Sequence, residues 1–141
     1  MTPEEALRAT LAGEHAAVYV YGVLGGRVSR SAEPALADRL ATAYTLHRGR
    51  RDQLLAMVRD TGEEPVASEV SYRLPNAAET AAQVSAVALG IETRCCEVYA
   101  DMVGSTAGPA RQWAIGALND AAVRLLEFGG SPEPFPGVPG L

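Results

Sequence analysis

Residues 2–26 read TPEEALRATLAGEHAAVYVYGVLGG and carry the clearest structural pattern in the chain. Thr2 and Glu5 form a capping box and Pro3 suits the first helical position, so a helix is predicted to begin here. Residues three or four apart then form the inner stripe of an amphipathic helix: Leu7, Leu11, Glu14, Val18, Tyr21 and Gly25. The pattern therefore places a carboxylate, that of Glu14, inside the protein.

An inward carboxylate requires a partner, because desolvating it unpaired costs several kcal/mol. Two kinds of partner are compatible with the sequence. Glu14 pairs with His47, Arg50 or Arg51 in a structural polar network, or it is a ligand of a metal ion.

The composition favours one soluble all-α domain over residues 1–141. Hydrophobic residues make up 48% of the chain and charged residues 21%, while Phe and Trp are scarce. The net charge of −5 argues against a nucleic-acid partner, although Arg48, Arg50 and Arg51 form a local basic patch. No signal peptide or apolar run of about 18 residues is recognised, so we expect no membrane association and a cytoplasmic location. The adjacent Cys95 and Cys96 are expected to be buried structural thiols.

Four helices are predicted, at about residues 3–26, 33–61, 77–104 and 109–128, followed by a Pro/Gly-rich tail at 129–141. Asn76 with Glu79 is interpreted as the capping box of helix three. In the tail, Phe135 and Val138 are expected to anchor the chain on the bundle surface.

The connection between helices two and three is unusually long. From Gly62 to Pro75 the chain has no helical pattern, and a short loop of about 2–8 residues would suffice between antiparallel neighbours. A crossover that makes helices two and three run in the same direction is the simplest use of this length. The predicted fold is therefore a ferritin-like four-helix bundle with a long crossover between helices two and three.

Helices one and three share a spacing. Glu14 precedes Tyr21 by seven positions and Glu92 precedes Tyr99 by seven, which would follow from a duplicated helical hairpin or from coincidence.

The same inner residues suggest an incomplete metal site. A di-iron or di-manganese bundle takes one Glu from each of two helices and a Glu-x-x-His motif from each of the others. Tyr44 stands where the Glu before His47 is needed, and Val123 where the second His is needed. The candidate metal ligands are Glu14, His47, Glu92 and Asp120.

The chain resembles the ferritin-like superfamily, and in particular an uncharacterised actinobacterial ferritin-like family, a domain of unknown function. The resemblance covers nearly the whole chain and rests on four segments: EHAAVYVYG (14–22), HRGRRD (47–52), YRLP (72–75) and FPG (135–137). It implies the ferritin-like fold.

The predicted function is that of a non-catalytic or cryptic ferritin-like bundle acting by binding. We expect a homodimer, with another protein or a small molecule as a further partner and no cofactor. The alternative is an iron- or manganese-dependent oxidoreductase that uses the four candidate ligands.

Overall fold

The computed structural model describes residues 1–140 and contains four α-helices. These are α1 (Pro3–Arg27), α2 (Pro34–Asp60), α3 (Ala81–Ser105) and α4 (Gly108–Glu127). The described part has no strand, so the predicted all-α four-helix bundle is confirmed. Among the described helices, none has the length and apolar character that a membrane span requires.

The beginning of α1 has the predicted capping geometry. The Thr2 hydroxyl accepts a hydrogen bond from the Glu5 backbone N–H at 3.1 Å, and the Glu5 carboxylate accepts one from the Thr2 N–H at 2.8 Å. α1 and α3 form the centre of the bundle, since α1 packs against both α2 and α3, and α3 packs against α4. α2 and α4 meet through long side chains, including a 2.6 Å hydrogen bond from the Trp113 indole to the Gln53 side chain.

Helices α2 and α3 run in the same direction, as predicted. His47 of α2 contacts Glu92 of α3, and Arg50, further along α2, contacts Tyr99, further along α3. The crossover that makes this possible follows the length of the bundle. Near its start, Val66 packs against the cluster around Leu11 and Leu54, and Leu74 later packs against the cluster around Leu24 and Leu40.

Helix α3 begins at Ala81, later than the predicted residue 77, and the expected capping box of Asn76 and Glu79 does not form. Thr80 is the N-cap and its hydroxyl accepts from the Gln83 N–H at 3.1 Å. The Asn76 side chain instead accepts from the Ala78 N–H at 2.8 Å. Ala78 has a φ of 51°, in the left-handed region, so the helix cannot extend back through it.

The tail packs through its backbone and not through the predicted anchors, Phe135 and Val138, which are both exposed. Pro136 and Gly137 are the central residues of a turn in which the Val138 N–H donates to the Phe135 carbonyl at 3.2 Å. Gly137 has a φ of 78°, and a Cβ there would overlap the Cys96 carbonyl. A side chain is excluded at this contact, so the tail approaches α3 at a glycine.

Candidate functional site

Glu14 is buried, with 1% of its surface exposed, and its main partner is His47. The Oε2 atom of Glu14 lies 2.7 Å from Nδ1 of His47, which is itself fully buried. The other carboxylate oxygen accepts a hydrogen bond from the Tyr99 hydroxyl. Of the three residues predicted as structural partners of Glu14, the structure therefore brings His47 into contact.

Glu92 approaches the opposite side of the same imidazole ring. Its Oε1 atom lies 3.0 Å from Nε2 of His47 and accepts a 2.6 Å hydrogen bond from the Tyr21 hydroxyl. A neutral imidazole carries one N–H, whereas a protonated ring donates from both nitrogens. The arrangement suits an imidazolium clamped between two carboxylates.

The electrostatics favour that protonated form. Burial disfavours a charge on His47, but hydrogen bonds and charge interactions with Glu14 and Glu92 outweigh it and raise the pKa of His47 to about 9. Burial also raises the pKa of Tyr21, and the neighbouring Glu92 charge adds to the effect. The Tyr21 phenol therefore stays protonated and acts as a donor.

The two Glu–Tyr spacings have a common structural explanation. Tyr21 of α1 donates to Glu92 of α3, and Tyr99 of α3 donates to Glu14 of α1. The two helices thus exchange equivalent hydrogen bonds across their antiparallel interface.

Asp120 lies apart from His47, at the edge of the network, and its side chain is 42% exposed. Its Oδ2 atom lies 2.6 Å from the Arg50 guanidinium and 2.8 Å from that of Arg124. Burial works against the ionised form of Asp120, but the hydrogen bonds and charges of the two arginines lower its pKa. The structure thus does not place Asp120 beside the other three candidate metal ligands.

Together these side chains form a ring of polar contacts, which we call the core network: Glu14, His47, Glu92, Arg124, Asp120, Arg50 and Tyr99. Arg50 closes the ring by donating to the Tyr99 hydroxyl at 3.3 Å. With His47 protonated, three cations face three carboxylates, so the network is electrically balanced.

Glu92 and Arg124 are neighbours in this ring but form no hydrogen bond with each other. The Glu92 Oε2 and Arg124 Nη1 atoms are both buried, lie 3.8 Å apart, and have no hydrogen-bond partner among the described residues. Within residues 1–140, no group of three His, Cys, Asp or Glu side chains has the geometry to hold a metal ion.

The predicted basic patch is divided in the structure. The side chain of Arg50 is 11% exposed and belongs to the core network, whereas Arg51 pairs with Asp52 at 2.8 Å. The Arg48 guanidinium lies 5.5 Å from the centre of the Tyr44 ring. Tyr44 lies close to Gly22 of α1, and both residues line one surface cavity.

Arg124 was not among the predicted site residues. It is buried on α4 at helical spacing from Ala117 and Ala121, so its position carries the same signal that revealed Glu14. Cys95 and Cys96 are buried free thiols, as predicted.

Comparisons with protein families and with solved structures found matches for this chain. The chain matches no curated protein. It is similar to the crystal structure of a conserved hypothetical protein, rv2844, from Mycobacterium tuberculosis, with 27% identity and a TM-score of 0.82. That match covers 89% of this chain and 93% of the other. The family model described as Domain of unknown function (DUF4439) matches residues 6–140. The chain therefore belongs to the DUF4439 family.

Proposed function

We propose that this protein is a non-catalytic, cryptic ferritin-like bundle that acts by binding other molecules, and that its core network has a structural role. The observation that carries the proposal is the position of His47, whose two ring nitrogens both face carboxylates at 2.7 and 3.0 Å. A metal ion binds histidine through a ring lone pair, and an imidazolium that donates from both nitrogens has none.

The ferritin-like assignment is supported by topology and by the inner residues. Two antiparallel hairpins joined by a long crossover are the arrangement of single-crossover bundles. The paired Glu14 and Glu92 occupy the two central helices, α1 and α3, as the paired carboxylates of such bundles would.

A homodimer is supported by an apolar surface on α4. Ile115, Val123 and Leu126 are 36%, 62% and 40% exposed, and the half-buried Leu118 lies at helical spacing between them. Two such faces packed antiparallel would bring Ile115 of one copy close to Leu126 of the other. They would also bring Arg111, at the beginning of α4, close to Glu127 at its end. Apolar contact with opposite charges at the two ends makes the face self-complementary.

The alternative function, an iron- or manganese-dependent oxidoreductase, is favoured by one observation. The Glu92 Oε2 atom is buried without a hydrogen bond, and a hard metal ion would satisfy it. Glu14, His47 and Glu92 would supply three ligands after His47 lost one proton and so gained a ring lone pair, and Asp120 would have to move to supply the fourth. The metal would then provide redox chemistry.

Metal analysis separates the two functions. Untagged protein is incubated anaerobically with Fe(II) or Mn(II), desalted and analysed by mass spectrometry, together with the Glu14→Ala and His47→Ala variants. Glu4→Ala, at an exposed position of the same helix, is the control. We expect no variant-dependent metal retention. Near-stoichiometric metal that both inner variants lose while helicity is kept would overturn the proposal in favour of the oxidoreductase.

A further inference from the structure

A cleft with apolar walls and two arginines lies between the crossover and α3. It has a volume of about 330 Å³ and is lined by Val20, Arg73, Leu74, Pro75, Val87, Gly90, Ile91 and Arg94. We call it the crossover cleft. A second cavity of about 330 Å³ adjoins it and shares Val20, Arg73, Ile91 and Arg94. Each volume lies within the range of about 300–1,000 Å³ that is usual for small-molecule pockets.

Residues 73–75 of the segment YRLP (72–75) line one side of this cleft, and Tyr72 lines the adjoining cavity. The Tyr72 ring packs against Tyr19 with 5.4 Å between ring centres, and Leu74 packs against the hydrophobic core. Alternate residues of an extended segment point to opposite sides, so Arg73 is directed outward between these two anchors and is exposed. The segment thus fixes a cation at the edge of an apolar cleft.

The charged side chains that line the crossover cleft itself are both positive, and Glu69 lines the adjoining cavity. Arg73 and Arg94 are the charged residues in the lining of the cleft, and neither forms an ion pair within residues 1–140. Arg8, Arg30, Arg50, Arg51 and Arg124 are already paired with acids, whereas the charges of Arg73 and Arg94 are available to a ligand. Two neighbouring guanidinium groups favour an anion, and carboxylates match their hydrogen-bonding geometry.

We propose that the crossover cleft binds a small amphipathic carboxylate, of the type of a medium-chain fatty-acid anion. The carboxylate binds at Arg73 and Arg94, and the hydrocarbon chain covers the apolar wall that includes Val87 and Ile91. The site is independent of the core network, so the proposal does not rest on whether the network binds a metal.

Titration calorimetry with decanoate tests this site, with decanol as the uncharged ligand of the same chain length. We expect saturable binding of decanoate that weakens about tenfold or more in the Arg73→Gln/Arg94→Gln double variant, because two charge-assisted hydrogen-bonding partners are lost. Arg59→Gln, an exposed arginine near the end of α2 and outside the lining of the cleft, is the matched control and should bind as the wild type does.

A second variant tests the apolar wall without altering charge. Gly90 lines the cleft and a Cβ there would have no neighbour within 4 Å, so we expect the side chain of Gly90→Leu to occupy the cleft and abolish decanoate binding. Gly104→Leu, also in α3 with open space around it, is the control. Circular dichroism verifies the fold of every variant. Absent or non-saturable binding, equal affinity for decanol, or undiminished binding in either cleft variant would overturn the proposal.

Discussion

The hydroxyl of Tyr21 donates a 2.6 Å hydrogen bond to Glu92, a residue 71 positions later in the chain. The same contact occurs in reverse between Tyr99 and Glu14. Each central helix therefore supplies one carboxylate and one phenol to the other. His47, between the two carboxylates, links this exchange to α2.

Removal of either phenol should destabilise the protein by a similar amount. Hydrogen bonds to charged groups contribute about 1.5–3 kcal/mol, so Tyr21→Phe and Tyr99→Phe should each lower the free energy of unfolding by about that much. Urea denaturation measures the change. Tyr19→Phe serves as the control, because the half-buried Tyr19 packs against Tyr72 outside the core network. A loss confined to one of the two inner variants would contradict the reciprocal arrangement.

Removal of Glu14 should be more damaging. Glu14→Ala leaves the charge of His47 and the hydroxyl of Tyr99 without a buried partner, and breaking a buried pair costs about 3–5 kcal/mol. Thermal and urea unfolding measure the loss. The exposed Glu4→Ala variant should change stability by less than about 0.5 kcal/mol. Equal stability of the two variants would show that the pairing of Glu14 contributes little.

Stability should fall as the pH rises above neutrality. The pKa of His47 is raised from an unfolded value of about 6.5 to about 9 in the folded protein. Its contribution is therefore fully present below pH 6.5 and is lost as the pH rises through 9. We expect the free energy of unfolding to decrease between pH 6.5 and 9.5 more steeply in the wild type than in His47→Gln. Parallel curves would indicate that His47 does not change its proton affinity on folding.

The apolar surface of α4 should determine whether two copies of the protein form a dimer. Val123→Glu and Leu126→Glu introduce like charges into an antiparallel pair of apolar faces, so they should convert a dimer to a monomer in analytical ultracentrifugation. Val70→Glu is the matched control, because Val70 is 98% exposed on the crossover and away from α4. A wild-type protein that stays monomeric over a wide concentration range would refute the homodimer, as would a dimer that both α4 variants leave intact.

The tail should protect Cys96, which lies beneath it. Gly137→Ala places a Cβ where the Cys96 carbonyl lies and should detach the tail, so a thiol reagent should modify Cys96 faster. Gly140→Ala controls for backbone strain, because Gly140 also has a positive φ but has open space around it. Unchanged reactivity in Gly137→Ala would show that the tail does not shield the thiol.

The inward position of Glu14 and the crossover could be predicted because each depends on a local pattern: helical spacing in one case, the length of a non-helical stretch in the other. The beginning of α3 could not be predicted from a local pattern. Asn76 with Glu79 and Thr80 with Gln83 are both acceptable capping pairs. The positive φ of Ala78 decides between them, and that depends on tertiary packing.

Which side chains pair with one another in the core network also could not be predicted from the sequence. Glu14 had three plausible structural partners, and only the relative register of α1 and α2 selects His47. Arg124 carried the same inward signal as Glu14, but its neighbours Ala117 and Ala121 are small and give a weak apolar stripe. Metal binding by Glu14, His47, Glu92 and Asp120 stays a prediction.

The most direct measurement of the central claim is the protonation of His47 by ¹⁵N NMR at neutral pH. The signals of His47 are identified by their absence in His47→Gln, which leaves His15 as the remaining histidine. The proposed structural role of the core network predicts that Nδ1 and Nε2 of His47 both carry protons, before and after addition of Mn(II) and desalting. A neutral ring with one bare nitrogen, or signals lost when Mn(II) is retained, would contradict it.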